Sequence, residues 1–482
     1  IRDSIDAVVT TGAQVLNRSK WFNSVTILAT DSAQVDAINA LPFVVSVNNV
    51  ALFQQPVTNL RNKFELETEN VYKTEIASPS ISNADYGMGL NQIDMIGGIP
   101  LHEAGFRGQG MLIAVIDAGF FNADNLAVFD SLRNENRIIA TKDFVDGDLN
   151  VYGSSTHGSM VLSTMAGNIP GQLIGTAPKA SYMLLRSEEG ATEYLIEEIN
   201  WASAAEYADS AGADVINSSL GYTDFDDPTQ NHVYADLDGN TTPVTIAADI
   251  AASKGMAMIN SAGNEGSSSW FHISAPSDAD SVLAIGAVDA LGQYVAFSGK
   301  GYSADGRIKP NVVAQGKDAA IVSTQTGEII TGNGTSFSGP IIAGMTACLW
   351  QANPTMTNME LLHAIEQSAS QYNNPDSLMG FGIPNYSIAN LILSDLMPVS
   401  LQKDELLKVY PSPFDEDVTG IFYSALDQPT EMRLTAVDGR KIYYKEIFCR
   451  KNTSTVINFA SLENLAQGLY IFSVTTPGKV YY

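Results

Sequence analysis

Two cysteines in 482 residues cannot build a disulfide framework, and Cys348 and Cys449 lie in stretches of different texture. Cys348 falls in an apolar run of small residues and reads as a helical core position. Two cysteines leave the redox compartment open. Basic charge is scarce too: 26 Lys and Arg stand against 53 Asp and Glu, a formal net charge of −27. That balance repels phosphate backbones and anionic headgroups, so neither nucleic acid nor a membrane surface is an expected partner. No apolar run reaches the ~20 residues that a membrane-spanning helix needs. The opening IRDSIDAVV has no charged-then-apolar leader, which leaves a secretion signal either already removed or never present.

What is present is core-forming material. Apolar residues make up 45 % and charged residues 16 %, a globular composition, and the length calls for two or three domains. Residues 1 to about 56 alternate helix-like and extended patterns: DSIDAVVTTGAQVL as helix, WFNSVTILAT as strand, DSAQVDAINALP as capped helix and FVVSVNNVALF as strand. The polar stretch that follows, ending at 76–85, reads as a linker. From 86 to 396 the buried strands MLIAVIDAGF, ADVINSSLG, GMAMINSAGN and VLAIGAVDA alternate with helices such as TEYLIEEINWASAAEYADSAG. That predicts an α/β fold with a parallel sheet covered on both faces. Residues 397–482 change to short strands with turn residues at Asp438–Gly439 and Gly468, a small β-sandwich.

Reactive groups in a parallel sheet collect at the carboxyl ends of its strands. Asp117 is the first polar residue after LIAVI; its plain alternative is a turn cap. His157, in SSTHGSMVLSTMAG, lies near the start of a helix that Ser155 or Thr156 can cap, with Gly158 leaving room beside it. Ser336, in TGNGTSFSGPIIAGMTACLW, stands where a serine is usually only an N-cap. The preceding glycines supply clearance that a cap does not need. Pro340 is expected in the first helical turn, where its missing N–H costs nothing. A hydroxyl there is open to substrate and close to the helix's free N–H groups. Serine needs a base, and the base needs an orienting group; His157 and Asp117 supply both. Asn264, between glycines in NSAGNEG, offers an amide to an oxyanion; its plain alternative is a turn residue. The order Asp, His, Ser and the absence of G-x-S-x-G disfavour an esterase on another α/β fold.

Together AVIDAGF, HGSMVLSTMAG, SAGNEG and GTSFSGP resemble the motifs of the subtilisin-like serine proteases (peptidase family S8), and ADVINSSLGY looks like that family's substrate-edge strand. Phe337 stands where the family usually has methionine, and Ser159 where it usually has threonine. The resemblance implies a subtilisin-like catalytic domain in which Ser336 attacks the scissile carbonyl and His157 carries the proton. It implies too that Asp117 orients the imidazole, while Asn264 and the Ser336 N–H bind the oxyanion. Substrate would pair with Ser219, Leu220 and Gly221, above a pocket floored by Ala262 and Gly263. A second edge at RSEEGATE brings in Glu189 and Gly190. There Glu188 and Glu189, with Glu265, either favour basic substrate side chains or form a solvated acidic loop.

Residues 1–75 occupy the place of the family's propeptide, which folds the enzyme and blocks its cleft, so this can be a zymogen with its scissile bond in 57–85. The tail VYPSPF…LTAVDGRKI…LENLAQGLYIFSV resembles the sorting domains of proteins exported by the type IX system of Bacteroidetes. A secreted or cell-surface serine endopeptidase is the expectation, a monomer acting on proteins or peptides, with its own propeptide as intramolecular inhibitor. The rival is a catalytically silent surface protein that binds peptides on the same fold. No cofactor is required. Structural calcium is possible, with Asp236, Asp238 and Asn240 in YADLDGNTT as candidate ligands and Asp146 and Asp148 as a second oxygen-rich turn.

Overall fold

The structure, a computed structural model, describes residues 2–51, 63–64, 84–394 and most of 404–482. Its amino-terminal unit consists of helix α1 (Arg2–Val9), strands β1 (Gln14–Ser19) and β2 (Ser24–Leu28), and helix α2 (Ser32–Asn39). α2 begins at a side-chain cap: Asp31 accepts from the Gln34 N–H at 2.9 Å. Two expectations fail here. The stretch read as one helix through Leu16 breaks at Gly12, whose φ of +89° is left-handed, and continues as β1, antiparallel to β2. Within FVVSVNNVALF, residues 43–51 form no strand; Val45 is 99 % exposed. The carbonyl of Val50 instead accepts from the Ile196 N–H at 2.9 Å.

Seven strands make the central sheet: β3 (Leu112–Asp117), β4 (Ile138–Asp143), β5 (Ser181–Arg186), β6 (Val215–Ser218), β7 (Ala257–Ser261), β8 (Val282–Val288) and β9 (Val312–Gln315). Their order is β9-β8-β7-β6-β3-β5-β4, and every neighbouring pair is parallel. Alternate residues of β3 leave the sheet on opposite sides. Ile113 and Val115 join a core with helices α3 (His157–Ala166) and α6 (Thr335–Ala352). Ala114 and Ile116 join the core of α4 (Ile196–Ala211) and α5 (Pro243–Ser253). Burial on both faces is why these strands read as unbroken apolar runs. Strand order reverses around β3, so its carboxyl end opens at a switch point.

The small residues of α6 act as expected. A Cβ on Gly344 would lie 2.1 Å from the Thr176 hydroxyl, so only glycine lets the helix pass that loop. Pro340 corrects the sequence reading: α6 starts at Thr335, which puts the proline in the second turn, inside the helix. A proline there leaves the carbonyl four residues back without its helical donor. That carbonyl belongs to Ser336, and the Ser219 hydroxyl donates to it at 3.0 Å.

Beyond the seven-stranded unit, strands β10 (Glu405–Tyr410), β11 (Val418–Ser424), β12 (Gln428–Ala436), β13 (Lys441–Cys449), β14 (Thr453–Phe459), β15 (Tyr470–Thr475) and β16 (Val480–Tyr481) form two antiparallel sheets, β10-β11-β14 and β13-β12-β15-β16. Phe422, Met432, Phe459 and Phe472 pack in their common core. The turn at Asp438–Gly439 joins β12 to β13, with Gly439 at φ +86°. Cys348 and Cys449 are both buried free thiols. Among the described residues no helix is long and apolar enough to cross a membrane.

Candidate active site

Asp117 is the last residue of β3 and is fully buried. Its Oδ1 accepts from the Ala118 N–H at 2.7 Å and meets Nδ1 of His157 at 2.7 Å. The turn-cap reading and the imidazole-partner reading are therefore both true of one oxygen. His157 is the first residue of α3 and also has no exposed surface. Ser155, not Thr156, serves that helix start, its hydroxyl accepting from the His157 N–H at 3.2 Å. Gly158 is needed for the close approach of two loops, because a Cβ there would lie 2.4 Å from the Gly119 carbonyl.

Ser336 is the second residue of α6 and is 3 % exposed. Its hydroxyl lies 3.4 Å from the Ser219 carbonyl, a long hydrogen bond. Asn264 follows β7. Its Oδ1 accepts from both the N–H of Thr335 at 2.8 Å and the Thr335 hydroxyl at 3.0 Å. The carbonyl end of the amide is thus committed to the residue before Ser336. Leu220 and Ala262 are buried beside these groups. Gly221 and Gly263 are each closed to a Cβ by the Ser274 hydroxyl, at 2.1 Å and 2.7 Å.

The comparisons with known proteins follow this geometry. Residues 108–382 match the model of the subtilase family, peptidase S8. The chain belongs to the subtilase family. Residues 2–67 match the peptidase S8 propeptide domain of Bacteroidota, and residues 408–482 the secretion system C-terminal sorting domain. This subtilase is 32 % identical to the thermophilic serine proteinase of Bacillus sp. (strain AK1) over 57 % of its own length and 60 % of that protein. It is 31 % identical to subtilisin E of Bacillus subtilis (strain 168) over 63 % of its length and 71 % of that protein. The solved MycP3 protease of the type VII (ESX-3) secretion system shares the fold, with TM-score 0.51, 20 % identity, and 65 % and 90 % of the two chains covered. The catalytic unit of the subtilase is thus a serine endopeptidase domain, preceded by a propeptide. Its sorting domain marks it for secretion or the cell surface.

The propeptide rests on the subtilase domain through Glu206 of α4, whose carboxylate accepts from the Ser19 hydroxyl at 3.0 Å and from the Lys20 and Trp21 N–H groups at 2.9 and 3.2 Å. Lys63 and Phe64 sit inside the cleft. The Phe64 ring stacks on the His157 imidazole, centroids 4.1 Å apart and planes at 21°. The Lys63 N–H donates to the Gly190 carbonyl at 3.1 Å. The expected second edge is therefore engaged at Gly190. Glu189 turns away, bonding Arg186 at 2.9 Å.

Lys63 extends its ammonium to Glu188, Glu193 and Glu197 at 2.6, 2.9 and 2.9 Å. The solvated-loop reading fails at Glu188, whose side chain is 1 % exposed. Sequence reading missed Lys63, Phe64, Glu193 and Glu197. The available signal was the Lys–Phe pair near the end of a unit whose tail must reach the cleft.

The candidate calcium turn makes local hydrogen bonds. Asp236 caps the Val233 N–H at 2.8 Å. Asp238 accepts from the Asn240 N–H at 2.8 Å and the Thr241 hydroxyl at 3.1 Å. Asp146 pairs with Arg186 at 2.6 Å, and Asp148 accepts from the Asn150 N–H at 2.8 Å. The proposed linker at 76–85 and the boundary at 396 lie almost wholly outside the described residues.

Proposed function

We propose that this chain hydrolyses peptide bonds through a Ser336 acyl-enzyme and is held as a zymogen by residues 2–67. The observation that carries the reading is the 2.7 Å contact of His157 with a buried Asp117, under an aromatic ring of the propeptide. With Nδ1 turned to the carboxylate, the imidazole presents Nε2 to the serine side of the cleft. It takes the Ser336 proton as Oγ attacks the carbonyl and returns it to the leaving amine. Asp117 fixes the tautomer and stabilises the imidazolium. The tetrahedral oxyanion falls to the Asn264 NH2 and the Ser336 N–H, at the amino end of α6 where the helix dipole favours negative charge.

Ser219, Leu220 and Gly221 form one edge for the extended substrate and Glu189–Gly190 the other, over a floor of Ala262 and Gly263. Substrates are proteins or peptides. One chain supplies every group, and the side chains carry the reaction with no cofactor, as in subtilisins. The activating cleavage falls in 57–85. Incubation of the purified chain with casein, followed by sequencing of any new amino terminus, tests the reading. Casein hydrolysis with a new terminus in that stretch is expected from the wild type, and neither from Ser336→Ala. Equal hydrolysis by the variant would refute it.

A further inference from the structure

The residue beside the one on His157 enters a pocket built for one kind of side chain. Four acceptors converge on the Lys63 ammonium: the three glutamates and the Thr192 carbonyl at 3.3 Å. The carboxylate groups lie within 4.8 Å of one another, so one compact cation reaches all three. Two of them are held from behind. The Tyr222 hydroxyl donates to Glu188, and the Glu189 N–H donates to Glu197 at 3.0 Å. Burial, reinforced by repulsion from Glu188, pushes Glu193 up to about 7 and Glu197 well above its usual value. Burial alone would lower the Lys63 ammonium; the attraction of Glu188, Glu197 and Glu193 overcomes it and raises the group.

Two buried acids and one partly buried acid around one base are costly without that base. The base comes from a segment that lies across the cleft by its backbone at Gly190 and its next ring at His157. Lys63 therefore stands where a substrate side chain would stand.

We infer that Glu188, Glu193 and Glu197 form a specificity pocket for a substrate lysine, at the position preceding the residue that covers His157. The inference rests on the reading of this cleft as a protease cleft. The pocket favours lysine over arginine because a compact ammonium with three N–H donors matches acceptors converging on a point, whereas a planar guanidinium is wider. Acidic and neutral side chains leave the carboxylates uncompensated.

The test uses full-length protein incubated to steady-state hydrolysis, with chelator present so that no metal ion competes for the carboxylates. Fluorogenic peptides based on NLRNKFELE carry lysine, arginine, norleucine or glutamate in place of Lys63. Lysine is expected to exceed norleucine in kcat/KM by roughly 10–100-fold, with arginine between them and glutamate last. Glu197→Gln and Glu188→Gln are expected to shrink the lysine-to-norleucine ratio at least about fivefold. The ratio is internal to each protein, so partial misfolding does not imitate the effect. Equal rates for lysine and norleucine with hydrolysis intact would overturn the pocket and leave the protease standing, as would ratios unchanged in both variants. Absence of all hydrolysis, with Ser336 unreactive to a fluorophosphonate, would remove both.

Discussion

Two acidic places lie side by side at the carboxyl end of the same sheet, and they are built oppositely. Asp117 ends β3 and meets one imidazole; Glu188, just past the end of β5, shares one ammonium with two other glutamates. The two strands are neighbours, and the Ser187 N–H donates to the Asp117 carbonyl at 3.0 Å. An imidazole can pass its proton on near neutral pH, so a carboxylate beside it orients a reaction. An ammonium paired among carboxylates holds its proton, so the glutamates only recognise it. Phe64 and Lys63, consecutive residues, touch one place each. On the proposed reading, chemistry and selection are read by adjacent side chains of one peptide.

The contrast is broken most severely on the chemical side. Ser336→Ala is expected to lower kcat by about 10⁵–10⁶-fold, measured on a peptide substrate. Asp117→Asn keeps the shape but offers Nδ1 the wrong partner, and a loss of about 10⁴-fold in kcat is expected with KM little changed. Asn264→Ala removes one oxyanion donor, a loss of about 10²–10³-fold in kcat, while the Asp–His pair stays intact. Lys63→Met tests the other place. It leaves three glutamates without their cation, so the propeptide segment should leave the cleft more readily, and fluorophosphonate labelling of the unprocessed chain should rise severalfold. An unchanged labelling rate would mean that the lysine does not hold the segment.

His102 sharpens the comparison from a third direction. Its ring nitrogens meet neutral groups, the Tyr86 hydroxyl at 3.1 Å and the Thr176 carbonyl at 2.8 Å, with the Arg107 cation close by. Burial, against the pull of the Thr176 carbonyl, holds it down to about 4. The unfolded chain takes up a proton there at higher pH than the folded one does. Stability is therefore full above about 6.5 and is lost as pH falls towards 4, by on the order of 3 kcal/mol at most. Melting temperatures of His102→Gln should fall less over that window than those of the wild type.

The candidate site residues each sit at a place that local sequence marks. Asp117 follows five apolar residues, Asn264 follows a buried strand, and Ser336 stands before small residues that let α6 approach the sheet. Pro340 was misjudged because its second-turn place depends on a tertiary partner, the Ser219 hydroxyl. Gln14–Ser19 has helix-like spacing, yet pairing with Ser24–Leu28 decides it. The lysine pocket was only half legible. The run around Glu188 was visible, but its cation lies 125 positions earlier, in a stretch whose polar texture reads as linker. In YADLDGNTT the alternating oxygens read as ion ligands, and one oxygen each of Asp236 and Asp238 accepts from a local N–H group.

Everything rests on Ser336 being an activated nucleophile. The direct measurement is peptide mapping by mass spectrometry after exposure to a fluorophosphonate, on chain freed of its propeptide segment. The expected result is one adduct, on Ser336, formed much more slowly in His157→Ala. An unmodified Ser336 in folded, propeptide-free protein would contradict the account.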